Sequence, residues 1–191
     1  TGLLATTTDE WYDKIKFAID NPEKTSAIAN AAYQKARREY ISTYSGLSLA
    51  NYLDSHLAKN IAFALPTTNI SGGVNVVIKH AKILIKNGYD VTIINMAKPS
   101  DNIQDSDGEI NVLSDVAHDI EMKFDSLVAT LWTTLDFVKA YPDVRHRLYL
   151  VQNFETDFAE TGNHAKLEAN ATYNSFTDIK YITISEWCRK W

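Results

Sequence analysis

The rhythm of hydrophobic and polar positions changes near residue 60. Before it, apolar residues recur at helical spacing. Trp11, Ile15, Ala18 and Ile19 follow Thr7 and Glu10, whose separation is that of a capping box. In such a box the hydroxyl meets one unpaired N–H of the first turn and the carboxylate reaches back to another. Asn21-Pro22 predicts the end of that helix and the start of a second, with Asn as cap and Pro at the first helical position, where its missing N–H had no partner. Ile28, Ala32, Ala36 and Tyr40 then recur every four residues. Gly46 predicts a break, and Leu49, Leu53 and Leu57 a short third helix.

From Asn60 onward short apolar runs alternate with helical faces. Ile61 to Leu65 reads as a strand and is followed by a loop holding Pro66 and Gly72-Gly73. Val74, Val77, Ile78, Ala81 and Ile85 form a helical face that Gly88 closes as a C-cap. Strands are predicted at Val91–Ile94, Ile110–Leu113, Leu127–Trp132, Leu148–Val151 and Tyr181–Ile184. Helices are predicted over Thr133–Tyr141, over Phe158–Phe176 and from Glu186 onward. Apolar strands separated by helices predict an α/β fold, a Rossmann-like parallel sheet with helices on both faces, preceded by a short helical segment. The divisions expected are a helical segment 1–47, a linker or short helix 48–59, and an α/β domain 60–191. The chain opens as if in the middle of an element and stops at Trp191, one turn into a helix, so an excised fragment is expected, its last domain truncated.

Composition narrows the function classes. Hydrophobic residues make up 45% and charged residues 23%, globular proportions that exclude wholesale disorder. The net charge of -5 offers no cationic surplus to phosphate, which argues against non-specific nucleic-acid binding. Charge balances up to Lys59, and the whole negative surplus lies beyond it. Cys188 is the single cysteine, which excludes an intrachain disulfide and a cysteine-rich zinc site and fits a reducing cytoplasm. No run approaches the ~20 apolar residues of a membrane helix, so no transmembrane segment is expected.

Candidate chemistry gathers where strands end. A strand, a loop and Gly72-Gly73 opening a helix offer unpaired N–H groups and a partial positive charge to a phosphate, with glycines permitting close approach. The loop is neither a Gly-X-Gly-X-X-Gly fingerprint nor a phosphate loop, since Val74-Asn75 follows Gly73. A tight packing turn is the plainer reading. Val151-Gln152-Asn153-Phe154-Glu155-Thr156-Asp157 also leaves a strand. Gln152 and Asn153 can donate and accept, and Glu155 and Asp157 can accept from sugar hydroxyls or act as bases. The plainer reading there is a helix start capped by Thr156 or Asp157. Trp132 leaves another strand and is either a rim aromatic for a sugar face or core; Ser185 most simply caps the last helix. The five histidines share no ligand spacing, and no metal is expected. Asp101, Asp105, Asp107 and Gly108 lack the twelfth-position Glu of a calcium loop, where Val112 stands.

Several of these segments together resemble a known family. Ile61-Ala62-Phe63-Ala64-Leu65-Pro66, Ile70-Ser71-Gly72-Gly73-Val74, Val151-Gln152-Asn153-Phe154-Glu155 and Ile184-Ser185-Glu186-Trp187 are similar to the N-terminal half of retaining, nucleotide-sugar-dependent GT-B glycosyltransferases, closest to bacterial rhamnosyltransferase-like enzymes. Thr1 to Tyr44 resembles the C-terminal tail of a preceding transferase unit. The resemblance implies sugar transfer from a nucleotide-sugar donor to a glycan acceptor in bacterial surface polysaccharide synthesis, with no cofactor beyond the donor itself. It places Ser71, Gly72 and Gly73 on the donor phosphate or sugar, and Gln152, Asn153, Glu155 and Trp132 on the acceptor side. It identifies no general base. It implies a cytoplasmic protein, compatible with peripheral attachment at the inner face of the membrane. It also implies a missing partner, the C-terminal donor domain of the same chain, so this piece alone is expected to be inactive. Two rival readings stand beside it. One is a non-catalytic Rossmann-like binding or assembly module. The other is an epimerase, which wants a Tyr-X-X-X-Lys pair that neither Tyr33 nor Tyr173 provides.

Overall fold

The central apolar runs of the second part, such as Ile61 to Leu65 and Val91 to Ile94, become strands whose two faces are both covered. The structure, a computed structural model, describes residues 2–39, 42–56, 58–97, 108–114, 122–158, 163–173 and 176–190. The strands are β1 (Asn60–Leu65), β2 (Asp90–Asn95), β3 (Asn111–Ser114), β4 (Phe124–Ala129), β5 (Val144–Val151) and β6 (Ile179–Thr183). They form one sheet in the order β3-β2-β1-β4-β5-β6, and every neighbouring pair is parallel. The helices are α1 (Thr8–Asp20), α2 (Pro22–Glu39), α3 (Ser42–Ser55), α4 (Gly72–Lys86), α5 (Leu135–Ala140), α6 (His164–Ala171) and α7 (Glu186–Arg189). This is the α/β architecture that the alternation predicts. No helix among the described residues is long and apolar enough to cross a membrane.

The central strand shows why the pattern is an apolar run rather than an alternation. Ile61, Phe63 and Leu65 of β1 pack with Leu49 and Leu53 of α3 and Val77, Ala81 and Leu84 of α4. Ala62 and Ala64 point the other way, towards Leu135 and Val138 of α5 and Tyr149 of β5. Burial of every residue from Ile61 to Leu65 follows from helices on both faces. Each large side chain so buried contributes about 1.5–3 kcal/mol of apolar transfer.

Helix ends agree with the sequence at some places and depart from it at others. Thr7 and Glu10 form the capping box, with the Glu10 N–H donating to Thr7 Oγ1 at 3.2 Å and the Thr7 N–H to Glu10 Oε2 at 3.3 Å. Ser185 Oγ accepts from the Cys188 N–H at 3.2 Å, as a cap of α7 should. Asn21, expected to cap α2, instead closes α1: its Nδ2 donates to the Phe17 carbonyl at 3.0 Å. Neither Thr156 nor Asp157 caps a long helix. Glu155–Phe158 is a 3-10 turn, and Asn163 caps α6 by accepting from the Ala165 N–H at 3.0 Å. The run read as a strand to Trp132 leaves the sheet at Ala129, and Trp132–Thr134 forms a 3-10 turn leading into α5.

Gly46 is no break. Helix α3 runs through it and across the division expected at residues 47 and 48, because the missing side chain lets α3 sit close on α4. A Cβ there would stand 2.8 Å from Ile83 Cδ1. By contrast α1 buries none of its residues, and its stripe of Trp11, Ile15 and Ile19 is exposed. The positions Tyr40 and Leu57 and the calcium-like loop positions 101, 105 and 107 lie outside the described residues.

Candidate functional site

Strand order reverses at β1: the chain moves outward to β2 and β3, then returns to β4 on the other side. Loops leaving β1 and β4 therefore diverge, and a crevice opens beyond the carboxyl ends of the strands. A cavity of about 620 Å³ occupies that place. Its walls come from Pro66 and Thr67 after β1, Ser71-Gly72-Gly73 at the start of α4, Thr130 and Leu131 after β4, and Gln152, Asn153 and Glu155 after β5. The Thr130 hydroxyl donates to the Ala64 carbonyl at 2.7 Å and ties the floor together across the reversal.

The α4 side of the cleft is built for an acceptor atom. Ser71 is the cap, its Oγ accepting from the Val74 N–H at 3.2 Å. The N–H groups of Gly72 and Gly73 precede any intrahelical bond and sit at the positive end of a fifteen-residue helix. A Cβ on Gly72 would meet nothing within 4 Å, so that flank is open. A Cβ on Gly73 would stand 3.5 Å from Gln152 Oε1, so any longer side chain would close the gap between the helix start and Gln152. Gln152 is oriented by a long contact, Nε2 to the Thr130 carbonyl at 3.4 Å.

Glu155 faces the helix start from the β5 side. It is 2% exposed, and both of its side-chain hydrogen bonds fall on one oxygen. Oε2 accepts from the Tyr149 hydroxyl at 2.6 Å and from the Trp132 N–H at 2.8 Å. Oε1 takes part in neither bond, and Glu155 lines the cavity. Burial pushes its carboxyl above the usual carboxylate range, against the two donors that favour the charged form. Tyr149 is pushed upward as well, by burial first and then by the Glu155 charge. The Glu155 N–H donates to Tyr173 Oη at 2.9 Å, so its backbone is held too.

Ser71, Gly72, Gly73, Gln152, Asn153 and Glu155 are thus brought to one cleft. Trp132 is not: it gives its backbone N–H to Glu155, while the wall beside it is Thr130 and Leu131. Thr130 lines the cleft, and Tyr149 and Tyr173 hold Glu155 from behind it; the sequence carried no signal for these three roles. No Lys, Arg or His stands among the described residues lining the cleft, and no group of three metal-ligating side chains occurs among the described residues. The acid that a dinucleotide site carries at the end of its second strand is replaced by Asn95. Its amide is occupied, Nδ2 donating to Ser114 Oγ at 3.3 Å and Oδ1 accepting from the Ala97 N–H at 3.2 Å.

No protein-family description, no curated protein and no solved structure matches this chain.

Proposed function

We propose that this chain supplies the N-terminal half of a retaining glycosyltransferase that moves a sugar from a nucleotide donor to a glycan acceptor in bacterial surface polysaccharide synthesis. One observation carries the reading: the bare start of α4 at Gly72 and Gly73 faces Gln152 and Glu155 across a single cleft at the strand-order reversal. A helix start of this kind suits the oxygen of a diphosphate or a sugar. Across from it, the Glu155 carboxyl suits an acceptor hydroxyl, and burial holds its pKa above the usual carboxylate range. The described lining holds no cation, so the reading assigns neutralisation of the leaving diphosphate to a C-terminal donor domain. That same lack of a cation is what favours the rival reading, a non-catalytic binding module.

Titration with uridine and thymidine diphosphates, followed by amide NMR, tests the proposal. The Gly72 and Gly73 amides should shift, and Gly73→Asp, which sets a carboxylate against the helix start, should abolish the shift with circular dichroism unchanged. Unmoved glycine amides at saturating nucleotide would overturn the reading. Binding without turnover in the full-length parent would decide for the binding module.

A further inference from the structure

A second cavity, of about 430 Å³, lies beside the cleft against β5, β6, α6 and α7. The two meet at Asn153, which lines both. Three aromatic rings form its wall: Phe154, Tyr173 and Tyr181. Phe154 and Tyr173 stack on each other with centroids 5.4 Å apart. The phenols are already engaged. Tyr181 Oη donates to the Thr172 carbonyl at 2.6 Å, and Tyr173 Oη accepts from the Glu155 N–H while donating to the Asn153 carbonyl at 3.3 Å. The rings are therefore fixed in place and offer carbon surface, not hydroxyls, to an occupant. Around them the lining includes Asn153, Asn170 and Arg189, and no carboxylate among the described residues; Asn153 Oδ1 already accepts from the Phe154 N–H at 2.9 Å, which turns that amide's NH2 to an occupant's use.

We infer that this cavity is a pyranose subsite, holding a sugar ring of the glycan next to the ring that reacts in the main cleft. A pyranose presents C–H groups on one face and hydroxyls at its rim, which matches aromatic carbon flanked by amides that both donate and accept. The lack of a carboxylate disfavours a cationic ligand. Assigning the ring to an acceptor glycan rests on the glycosyltransferase reading; recognition of the ring itself does not. Tyr173 connects the two places, since its hydroxyl accepts from the backbone of Glu155.

The chain is titrated with methyl α-D-glucopyranoside, methyl α-L-rhamnopyranoside and adenosine, with side-chain amide and aromatic resonances observed. At least one glycoside is expected to shift the Asn153 and Asn170 amides and the Phe154 and Tyr181 rings, with an affinity on the order of millimolar. Asn170→Ala, at an exposed position, should weaken that binding about five- to tenfold with the fold unchanged. Tyr181→Phe should keep it, because the hydroxyl faces Thr172, whereas Tyr181→Val should not. Shifts from adenosine and none from either glycoside would overturn the ligand class. No shift from any of the three would overturn the subsite. Glycoside shifts in the cavity with uridine diphosphate leaving Gly72 and Gly73 unmoved would uphold sugar recognition and sink the glycosyltransferase reading alone.

Discussion

Glu155 draws one donor from the preceding strand, Tyr149, and the other from Trp132, 23 residues back, and its worth depends on what replaces it. Alanine would leave the buried Tyr149 hydroxyl and the Trp132 N–H without their acceptor. Each orphaned group costs about 1–3 kcal/mol, so Glu155→Ala should lower the unfolding free energy by roughly 3 kcal/mol. Glutamine keeps an acceptor oxygen and gives up a buried charge, so Glu155→Gln should stay within about 1 kcal/mol of wild type at neutral pH. The pH dependence has a definite sign. A carboxyl whose folded pKa lies above its ordinary 4.5 is protonated more readily in the folded state, so wild-type stability falls as pH rises from 4.5 through the folded value. The margin of Glu155→Gln over wild type should widen across that interval in urea titrations. A margin that is flat or narrows with pH would show that the carboxyl is not shifted upward. The sequence offered two readings of Glu155, a rim ligand and a helix-start residue. The structure combines parts of both, since Glu155 opens a 3-10 turn and lines the cleft. What was illegible was the bond to Tyr149, because strand alternation says which face a tyrosine takes and not what its hydroxyl meets.

Helix contacts show the same division between local and distant information. The heptad-like spacing of Val74, Val77, Ile78 and Ala81 was enough to place the buried face of α4. His80 on that same helix has no ligand spacing to the other histidines, and its partner, Ser45, lies on α3. His80 is fully buried; its Nδ1–H donates to the Val76 carbonyl at 2.7 Å, which leaves Nε2 to accept from the Ser45 hydroxyl at 2.8 Å. The close approach that Gly46 allows makes this contact possible, and a glycine read in isolation signals a break just as well as a packing point. Burial holds the His80 pKa below the ordinary 6.5, so the unfolded chain takes up the proton first. Stability should therefore decline as pH falls below 6.5 and level off under the folded value. In His80→Leu that decline should shrink, whatever the substitution costs at neutral pH. Part of it should remain, because His146, beside His56 at 5.2 Å, is shifted the same way by burial first and the His56 charge next. An unchanged slope between pH 7 and pH 5 would remove His80 from the account.

At the scale of the molecule, the alternation of runs and helical faces was enough to give a parallel α/β sheet, but not the strand order. Order depends on which edge each new strand joins, and the residues that decide it, such as those pairing Ile61 with Ser126, are far apart in sequence. The cleft follows from that order and was legible only as a set of separate strand ends. It carries no cation in its described lining. Purified alone, the chain should bind nucleotide without turning over any nucleotide sugar, since transfer needs both partners held in one closed geometry. Release of nucleoside diphosphate above the uncatalysed rate, with acceptor present, would refute this. The position of β1 has a consequence for how such a chain is made. During synthesis β2 emerges soon after β1 and can join it, but the other edge of β1 stays unpaired until Ala129 has left the ribosome. For that interval a strand apolar from Ile61 to Leu65 lies open to any extended segment that meets it, so the nascent protein is most exposed to mispairing before β4 is translated, and a pause in translation ahead of β4 would prolong that exposure.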